Sequence, residues 1–302
     1  MRRSLIGIAL LVALVAAGSA SAAYPGKNGR LLFFRGNPQV TDMDSNPAEI
    51  WTANPDGSRQ GRLTNANFES GGVGVIAAVW SPDGSTIAYA TDCGTRYDPH
   101  CGVLRTMRAD GHVKRTIDVP LDPSNHAVGG DRSPTWSPDG TRIAFERIWP
   151  TPDSIWTVGV DGKGAAQLIP QALKHPVWSP DGARIAFSSG TTIGVVNLDG
   201  SDQRIVATNA YYYGPHPDWS PDGASIAFAQ VRNKAVWVCI VPAAGGTVRC
   251  LTPGGEPAWS PDGKQVVYVH AQDIWTIHAD GTHRRNVTHD KQWESDPDWQ
   301  PR

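Results

Sequence analysis

Residues 178–187 read Trp-Ser-Pro-Asp-Gly-Ala-Arg-Ile-Ala-Phe, and the first five letters of this stretch decide the fold. The pentapeptide Trp-Ser-Pro-Asp-Gly begins five times in the chain, at Trp80, Trp136, Trp178, Trp219 and Trp259, and an incomplete copy begins at Trp299. After a longer first interval, successive copies start about 40 residues apart. A fixed period of this length indicates a protein built from structural repeats.

One repeat predicts four short antiparallel strands. The segment Ser260-Pro261-Asp262-Gly263 is a turn, because proline fixes φ, aspartate bonds its own backbone and glycine accepts the left-handed conformation. The turn joins two predicted strands, over 257–259 and 265–269. Two more strands are predicted over 274–277 and 284–288. The last two flank Asp280-Gly281, a hairpin signal. Four strands per period are typical of a propeller blade.

The same pieces recur six times, so we predict an all-β protein: a six-bladed β-propeller with four antiparallel strands per blade. The earliest predicted strand in the chain, 31–34, matches the second strand of the repeat. The last predicted strand, at Trp299, matches the first strand of the repeat. The C-terminal strand should therefore complete the first blade and close the ring, which removes open sheet edges. The predicted domains are a cleaved signal peptide over 1–22 and the propeller over 27–302.

The unit Trp-Ser-Pro-Asp-Gly-x-x-Ile-Ala-Phe resembles the propeller of the TolB family of periplasmic proteins, over about residues 27 to 302. That resemblance implies an extracytoplasmic binding scaffold, without implying the lipoprotein partner of TolB itself. The same repeat also caps prolyl-oligopeptidase-type hydrolases, but the Gly-x-Ser-x-Gly motif of their catalytic domain is not in this sequence.

The first residues predict export to the periplasm or beyond the cell. Arg2 and Arg3 precede an apolar run over 5–17, and Ala20-Ser21-Ala22 fits a cleavage site, so the mature chain should start near Ala23. The apolar run is too short for a comfortable membrane span. With 27 basic and 29 acidic residues, the chain lacks the positive charge of a nucleic-acid-binding protein. We expect a monomer without a cofactor.

Four cysteines fall into two close pairs, Cys93 with Cys101 and Cys239 with Cys250. In an exported protein we expect each pair to form a disulfide. A zinc site is the alternative, although neither pair has Cys-x-x-Cys spacing.

One end of the ring should be free to bind a ligand. The Ser-Pro-Asp-Gly and Asp-Gly turns share one end, whereas loops of variable length (36–48, 65–78, 92–102, 118–134 and 149–154) lie at the other, which we call the variable face. The position three before each repeat tryptophan should lie at the channel mouth on that face. It is occupied by Ala77, Ser133, His175, His216, Glu256 and Asp296.

His175, His216, Glu256 and Asp296 come from consecutive blades and are the first candidates for ligand binding. They could ligate a divalent metal, orient a polar ligand, or only cap the strand entrances. If they form one cluster, the carboxylates should favour charged imidazoles, and ligand binding should change between about pH 5 and 8. Three aromatic residues outside the blade register, Trp149, Trp293 and Tyr212, are further candidates, with coverage of loop backbone as the alternative.

The sequence thus favours an exported, non-catalytic scaffold that binds a protein, a peptide or a cell-envelope ligand through the variable face and the channel mouth. The alternative is a metal-assisted lyase or hydrolase that acts on a polysaccharide or lactone at that mouth. No nucleophile and base can be assigned from spacing, because such an arrangement is recognised by geometry.

Overall fold

The computed structural model of the chain describes residues 23–36, 48–64, 75–91, 102–112, 115–117, 119, 130–148, 153–171, 173–212, 214–289 and 292–302. Within these ranges the chain forms six four-stranded antiparallel sheets and no helix. The six-bladed β-propeller predicted from the repeat is therefore confirmed. None of the described segments is a helix with the length and hydrophobicity that a membrane crossing requires.

The four strands of each blade are named here in their order from the central channel to the outer edge. Blade 1 contains β24 (Glu294–Pro301), β1 (Asn28–Arg35), β2 (Glu49–Ala53) and β3 (Gly61–Arg62). Blade 2 contains β4 (Val75–Trp80), β5 (Thr86–Thr91), β6 (Val103–Arg108) and β7 (Arg115–Thr116). Blade 3 contains β8 (Asp131–Trp136), β9 (Arg142–Arg147), β10 (Ser154–Gly159) and β11 (Ala166–Ile169).

The other three blades follow the same order. Blade 4 contains β12 (Lys174–Trp178), β13 (Arg184–Ser189), β14 (Thr192–Asn197) and β15 (Arg204–Thr208). Blade 5 contains β16 (Asp218–Trp219), β17 (Ser225–Arg232), β18 (Ala235–Pro242) and β19 (Arg249–Pro253). Blade 6 contains β20 (Gly255–Trp259), β21 (Gln265–His270), β22 (Asp273–His278) and β23 (Arg285–Asn286).

The two ends of the chain meet in blade 1. The C-terminal strand β24 pairs with β1 in antiparallel register, with Leu31 opposite Trp299. This confirms that the last strand completes the first blade, as the sequence predicts. The apolar residues of the second strands lie between neighbouring blades, and Phe33, Phe145 and Phe187 have no exposed surface.

The repeated turn is held by its own polar side chains. In blade 2 the Ser81 hydroxyl donates to Asp83 at 2.6 Å, the amide of Ser85 donates to the same carboxylate at 3.0 Å, and Gly84 takes φ +66°. The turns of the other four complete copies repeat the serine–aspartate contact. Five of the six blades are thus anchored at one end by the same local structure, and variation is left to the other end.

The predicted disulfide between Cys239 and Cys250 is confirmed, and it joins β18 to β19 where these two residues are paired in register. The second predicted pair, Cys93 and Cys101, lies outside the described residues. An intact disulfide fits an exported protein.

Candidate ligand site at the channel mouth

The position three before the repeat tryptophan has an unusual backbone in five blades. Ser133, His175, His216, Glu256 and Asp296 all have φ between +40° and +53°. A proline follows each of them, and Ala77, which lacks that proline, does not share the conformation. Left-handed backbone is uncommon outside glycine, with Asp and His among the more tolerant residues. Because Ser133 shares it, this conformation belongs to the fold and not to one ligand.

These residues interrupt the pairing of the innermost strands. The register between β12 and β13 shifts between Lys174 and Val177, and the register between β20 and β21 shifts between Gly255 and Ala258. Such a bulge redirects a side chain that would otherwise follow the alternation of the strand. His175 lies at the end where Lys174 is opposite Ser188, whereas Trp178 and its turn lie at the other end. The site is therefore on the variable face.

Side chains from three consecutive blades meet at this mouth. One ligand atom each of His216 (blade 5), Glu256 (blade 6) and Asp296 (blade 1) lie within 4.8 Å of one another. His216 Nδ1 is 3.3 Å from Asp296 Oδ1, and the amide of Asp296 donates to Glu256 Oε2 at 2.7 Å. We call these three residues the mouth triad.

His175, from blade 4, lies beside the triad but has its own partners. Its ring centroid is 5.7 Å from that of His216, and its Nδ1 is 2.8 Å from the hydroxyl of Ser188. Its backbone amide donates to Glu146 Oε2 at 3.4 Å. The structure thus brings the four candidate residues to one mouth, with three of them close enough to share one bound atom.

Burial governs the ionisation of this site. Desolvation lowers the pKa of His175 to about 4 and that of His216 to about 3. It raises the pKa of Glu256 to about 7, and burial together with the charge of Glu256 raises the pKa of Asp296 well above its usual range. The expectation that neighbouring carboxylates would keep the imidazoles charged is wrong. The two histidines are neutral at pH 7, because withdrawal from water outweighs the nearby carboxylates.

The Asp296 carboxylate stands out within the triad. Its side chain is 1 % exposed, and the hydroxyl of Ser295 is close enough to lower its pKa, but neither oxygen meets hydrogen-bond geometry among the described residues. The contact with His216 Nδ1 therefore brings two ligand-type atoms together without hydrogen-bond geometry. The opposite edge of the His216 ring is packed against Gly214, where a Cβ would lie 2.5 Å from Nε2. Nδ1 is thus the ring nitrogen that faces the triad.

A charged group lines the mouth on the His175 side. Lys174 Nζ is 3.0 Å from Asp153 and 3.9 Å from Glu146, whose side chain is 5 % exposed. Desolvation raises the pKa of Glu146 to about 7, and Lys174 and the amide of His175 oppose that rise. Sequence reasoning missed Glu146 and Lys174. The one available signal was that Lys174 directly precedes a candidate residue.

The aromatic candidates have separate surroundings. Tyr212 is 64 % exposed and lies near enough to Lys174 to act on its charge. Trp293 is partly buried directly before β24, and its carbonyl accepts the amide of Gly36 at 3.0 Å. Trp149 lies outside the described residues. Tyr212 and Trp293 are therefore on the variable face, and neither belongs to the mouth triad.

The other end of the channel is filled by the N-terminal segment, which sequence reasoning did not anticipate. Tyr24 is buried, and its hydroxyl donates to the carbonyl of Trp136 in blade 3. The amide of Ala23 donates to the carbonyl of Trp219 in blade 5 at 3.3 Å. Burial raises the pKa of Tyr24 well above its usual value, and the charges of Asp298 and Asp218 raise it further. The channel is thus occupied by protein at the turn end, and the mouth triad lies at its other end.

A groove also lies at the turn end, between blades 2 and 3. Its lining includes Pro82, Asp83, Met107, Trp136 and Pro138. The groove was not predicted from the sequence, because it is lined largely by the repeated Ser-Pro-Asp-Gly turns, which do not differ from blade to blade.

The fold and the site together define a six-bladed propeller with a polar mouth on its variable face. The sequence matches the profile of the TolB beta propeller domain over residues 75–302, and the chain belongs to that family. No curated protein matches the sequence significantly.

Solved structures show the same fold. TolB from Acinetobacter baumannii is 19% identical, with a TM-score of 0.72 over 91% of this chain and 67% of that one. The putative TolB from Agrobacterium tumefaciens is 17% identical, with a TM-score of 0.62 over 87% of this chain and 89% of that one. An oligogalacturonate lyase in complex with manganese is 14% identical, with a TM-score of 0.51 over 70% of this chain and 62% of that one. At these identities the likeness concerns the fold alone.

Proposed function

We propose that this protein is an exported, non-catalytic scaffold that binds a protein, a peptide or a cell-envelope ligand through its variable face and channel mouth. It would act as a monomer in the periplasm or outside the cell, with no nucleic-acid partner and no membrane span in the mature chain. The observation that carries the proposal is the meeting of His175, His216, Glu256 and Asp296 at one mouth. Family membership supports a binding role, and the intact disulfide supports export.

Physical chemistry explains why such a mouth suits binding. Burying a carboxylate without a hydrogen-bond partner costs free energy in the isolated protein, and the cost is recovered when a ligand supplies the missing contact. Asp296 is in that situation at the mouth, because it is buried and neither of its oxygens meets hydrogen-bond geometry among the described residues. Tyr212 and Trp293 on the same face add aromatic surface of the kind that binding interfaces favour.

The test is capture of partners from the native envelope and extracellular fractions with the full-length chain. Replacing His175 and His216 together by Asn, which tolerates the left-handed backbone of both positions, should weaken capture of the partner at least about tenfold while cooperative thermal unfolding is retained. The matched control is the double replacement of His278 and His283, a stacked pair at the turn end with centroids 4.3 Å apart. Equal capture by the mouth variant and the wild type would refute the proposed binding face.

A second candidate function is a metal-assisted lyase or hydrolase acting on a polysaccharide or lactone. The mouth triad favours it, because an imidazole and two carboxylates are a donor set found in catalytic metal sites. The manganese-bound oligogalacturonate lyase shares the fold, which adds only analogy. The discriminating measurement is turnover of oligosaccharides and lactones with added Mn²⁺ or Zn²⁺. Turnover that is lost in the Glu256→Gln protein would favour the enzyme.

A further inference from the structure

The mouth triad has the composition and arrangement of a metal-ligand set. His216 contributes a neutral imidazole nitrogen, and Glu256 and Asp296 contribute carboxylate oxygens, from three different blades. In a tetrahedral site with bonds of about 2.1 Å, neighbouring ligand atoms are about 3.4 Å apart. The observed spread of up to 4.8 Å is therefore wider than that of a filled tetrahedral site, so cation binding requires the side chains to rotate toward one another.

One observation indicates that the triad lacks a partner. Asp296 is buried and faces His216 Nδ1 at 3.3 Å, and neither this contact nor the adjacent hydroxyl of Ser295 meets hydrogen-bond geometry. The backbone of Gly214 abuts the Nε2 edge of the His216 ring, which leaves Nδ1 toward the carboxylates. Buried carboxylates are ordinarily paired with cations or coordinate metals. No lysine or arginine contact to Asp296 or Glu256 exists among the described residues.

We propose that His216 Nδ1, Glu256 and Asp296 bind one divalent cation of the Zn²⁺ or Mn²⁺ class at the mouth of the channel. One nitrogen and two oxygens suit these ions, whereas Ca²⁺ and Mg²⁺ prefer oxygen alone. Glu256 is only partly buried, so the cation enters and leaves from the variable face. Three protein ligands leave a further coordination position toward solvent, where an oxygen atom of a ligand can bind. The site does not depend on the proposed partner.

The test is Zn²⁺ and Mn²⁺ titration of the full-length protein after chelator treatment, followed by calorimetry and by metal analysis after dialysis. We expect one equivalent to be retained, a rise in melting temperature, and much weaker binding of Ca²⁺. Asp296→Asn and His216→Gln should each weaken binding at least about tenfold, since each removes a ligand. All proteins would carry His283→Ala, because the stacked pair of half-buried His278 and exposed His283 can bind Zn²⁺ by itself.

His270→Gln is the matched control, because His270 ends β21 on the same face without belonging to the triad. It should bind the cation as the wild type does. Sub-stoichiometric binding by the wild type, or equal binding by the Asp296→Asn protein, would overturn the metal site. Partner capture that persists with and without metal would leave the proposed function standing, so the two failures are distinguishable.

A second inference concerns the opposite end of the channel. Asp218 is 1 % exposed, and its Oδ2 accepts the amide of Trp259 at 2.5 Å, while its Oδ1 has no partner among the described residues. Burial raises the pKa of Asp218 well above its usual range, and the charge of Asp298 raises it further. The backbone amides of Trp259 and Ala23 lower the pKa of Asp218. The amide of Ala23 donates to the carbonyl of Trp219, the residue after Asp218, at 3.3 Å, so the backbone nitrogen of Ala23 lies beside this buried carboxylate.

We infer that cleavage after Ala22 places the new α-ammonium group of Ala23 in a buried ion pair with Asp218. Hydrolysis of the peptide bond between Ala22 and Ala23 consumes one water, leaves a carboxylate on Ala22, and converts an amide into an amine that is protonated at neutral pH. The cleavage would act on the unfolded chain during export, because Ala23 is only 6 % exposed after folding. The mature N-terminus would thus supply the cation that Asp218 lacks.

The test compares the exported protein with a version carrying one extra Gly before Ala23. Intact-mass analysis should show that the exported protein starts at Ala23, and the extended protein should melt several degrees lower. In an Asp218→Asn background the two proteins should melt at nearly the same temperature, because the carboxylate that selects the ammonium group is gone. A different start site, or an extension that costs equally in both backgrounds, would overturn the ion pair.

Discussion

Asp298 in the innermost strand of blade 1 accepts, through its Oδ2, the amide of Trp80 in the innermost strand of blade 2, at 2.8 Å. The same link recurs in alternate blades: Thr135 of blade 3 accepts the amide of Trp178 at 3.4 Å, and Asp218 of blade 5 accepts that of Trp259 at 2.5 Å. The intervening blades have Val79, Val177 and Ala258 at this position. Three polar links thus tie the blades together in pairs around the channel.

The C-terminal strand should be indispensable for folding. Deleting residues 296–302 removes most of β24, so that β1 loses its innermost partner and Trp80 loses the carboxylate of Asp298. We expect loss of cooperative unfolding, or aggregation through the exposed edges. Thermal unfolding followed by circular dichroism checks this. A truncated protein that melts like the full-length chain would contradict ring closure by β24.

A point substitution isolates the link between blades 1 and 2. Asp298→Ala leaves the buried amide of Trp80 without an acceptor and should lower the free energy of unfolding by about 1–3 kcal/mol. Asp298→Asn keeps a carbonyl oxygen in place and should cost less. Urea unfolding of the three proteins gives the comparison, and equal losses for Ala and Asn would show that the hydrogen bond is not what matters.

The buried ion pair of blade 3 should contribute strongly to stability. Arg147 donates to both oxygens of Asp131, at 2.8 and 2.9 Å, and its guanidinium carbon lies 4.6 Å from the ring centroid of Trp156. Arg147→Ala leaves a buried carboxylate without its cation, which we expect to lower the free energy of unfolding by about 3–5 kcal/mol. Denaturant unfolding measures the effect.

A surface pair provides the control for that prediction. Arg62 is 3.2 Å from Glu49, but its side chain is 51% exposed. Arg62→Ala should therefore cost less than about 1 kcal/mol. If Arg147→Ala and Arg62→Ala lowered the free energy of unfolding equally, burial would not increase the cost of breaking the blade 3 ion pair.

The fold could be predicted from the period of the repeat, because equivalent strand positions in each blade have the same residue types. For that reason the position three before the tryptophan could be traced to one mouth. The charge state there was not predictable. His175 and His216 look like ordinary titrating residues in a sequence, and only their burial in three dimensions lowers their pKa.

Contacts between distant parts of the chain were also missed. Arg35 pairs with Glu294 in blade 1, although 259 residues separate them. Arg147 and Asp131 form the equivalent pair in blade 3. A signal exists: in these two blades an acidic residue stands two positions before the mouth residue, and an arginine ends the second strand. The outermost strands are shorter than expected, with β23 restricted to Arg285–Asn286 against the predicted 284–288. An outer edge strand has a partner on one side only.

The disulfide should stabilise blade 5 without defining its fold. Cys239 and Cys250 are 11 residues apart and already paired in the strand register. Replacing both by Ala should lower the free energy of unfolding by about 2–3 kcal/mol, because the open chain regains loop entropy in the unfolded state. Urea unfolding under non-reducing conditions measures this, and a double variant as stable as the wild type would contradict it.

The pairing of Cys93 with Cys101 stays a prediction. Proteolysis without reduction, followed by mass spectrometry, should find Cys93 joined to Cys101 and Cys239 joined to Cys250. Free thiols at the first pair, or peptides that cross the two pairs, would contradict the expected connectivity.

The last prediction concerns pH and Glu146. Burial raises its pKa to about 7 from an ordinary 4.5, so between these values the folded protein holds a proton that the unfolded chain has released. By linkage, the contribution of Glu146 to stability is fully present below about pH 4.5 and is lost as pH rises toward 7. Lys174, the amide of His175 and Arg132 oppose the shift, and Asp153 adds to it.

Glu146→Gln removes this titration while keeping an acceptor for the amide of His175. The free energy of unfolding of the variant minus that of the wild type should therefore increase by about 2–4 kcal/mol between pH 4.5 and 7.5, at about 1.4 kcal/mol for each pKa unit. Taking the difference cancels the titration of other buried carboxylates. Urea unfolding at five pH values gives the curve. A flat difference, or one that falls with rising pH, would show that Glu146 is ionised in the folded protein at neutral pH and is stabilised there by Lys174.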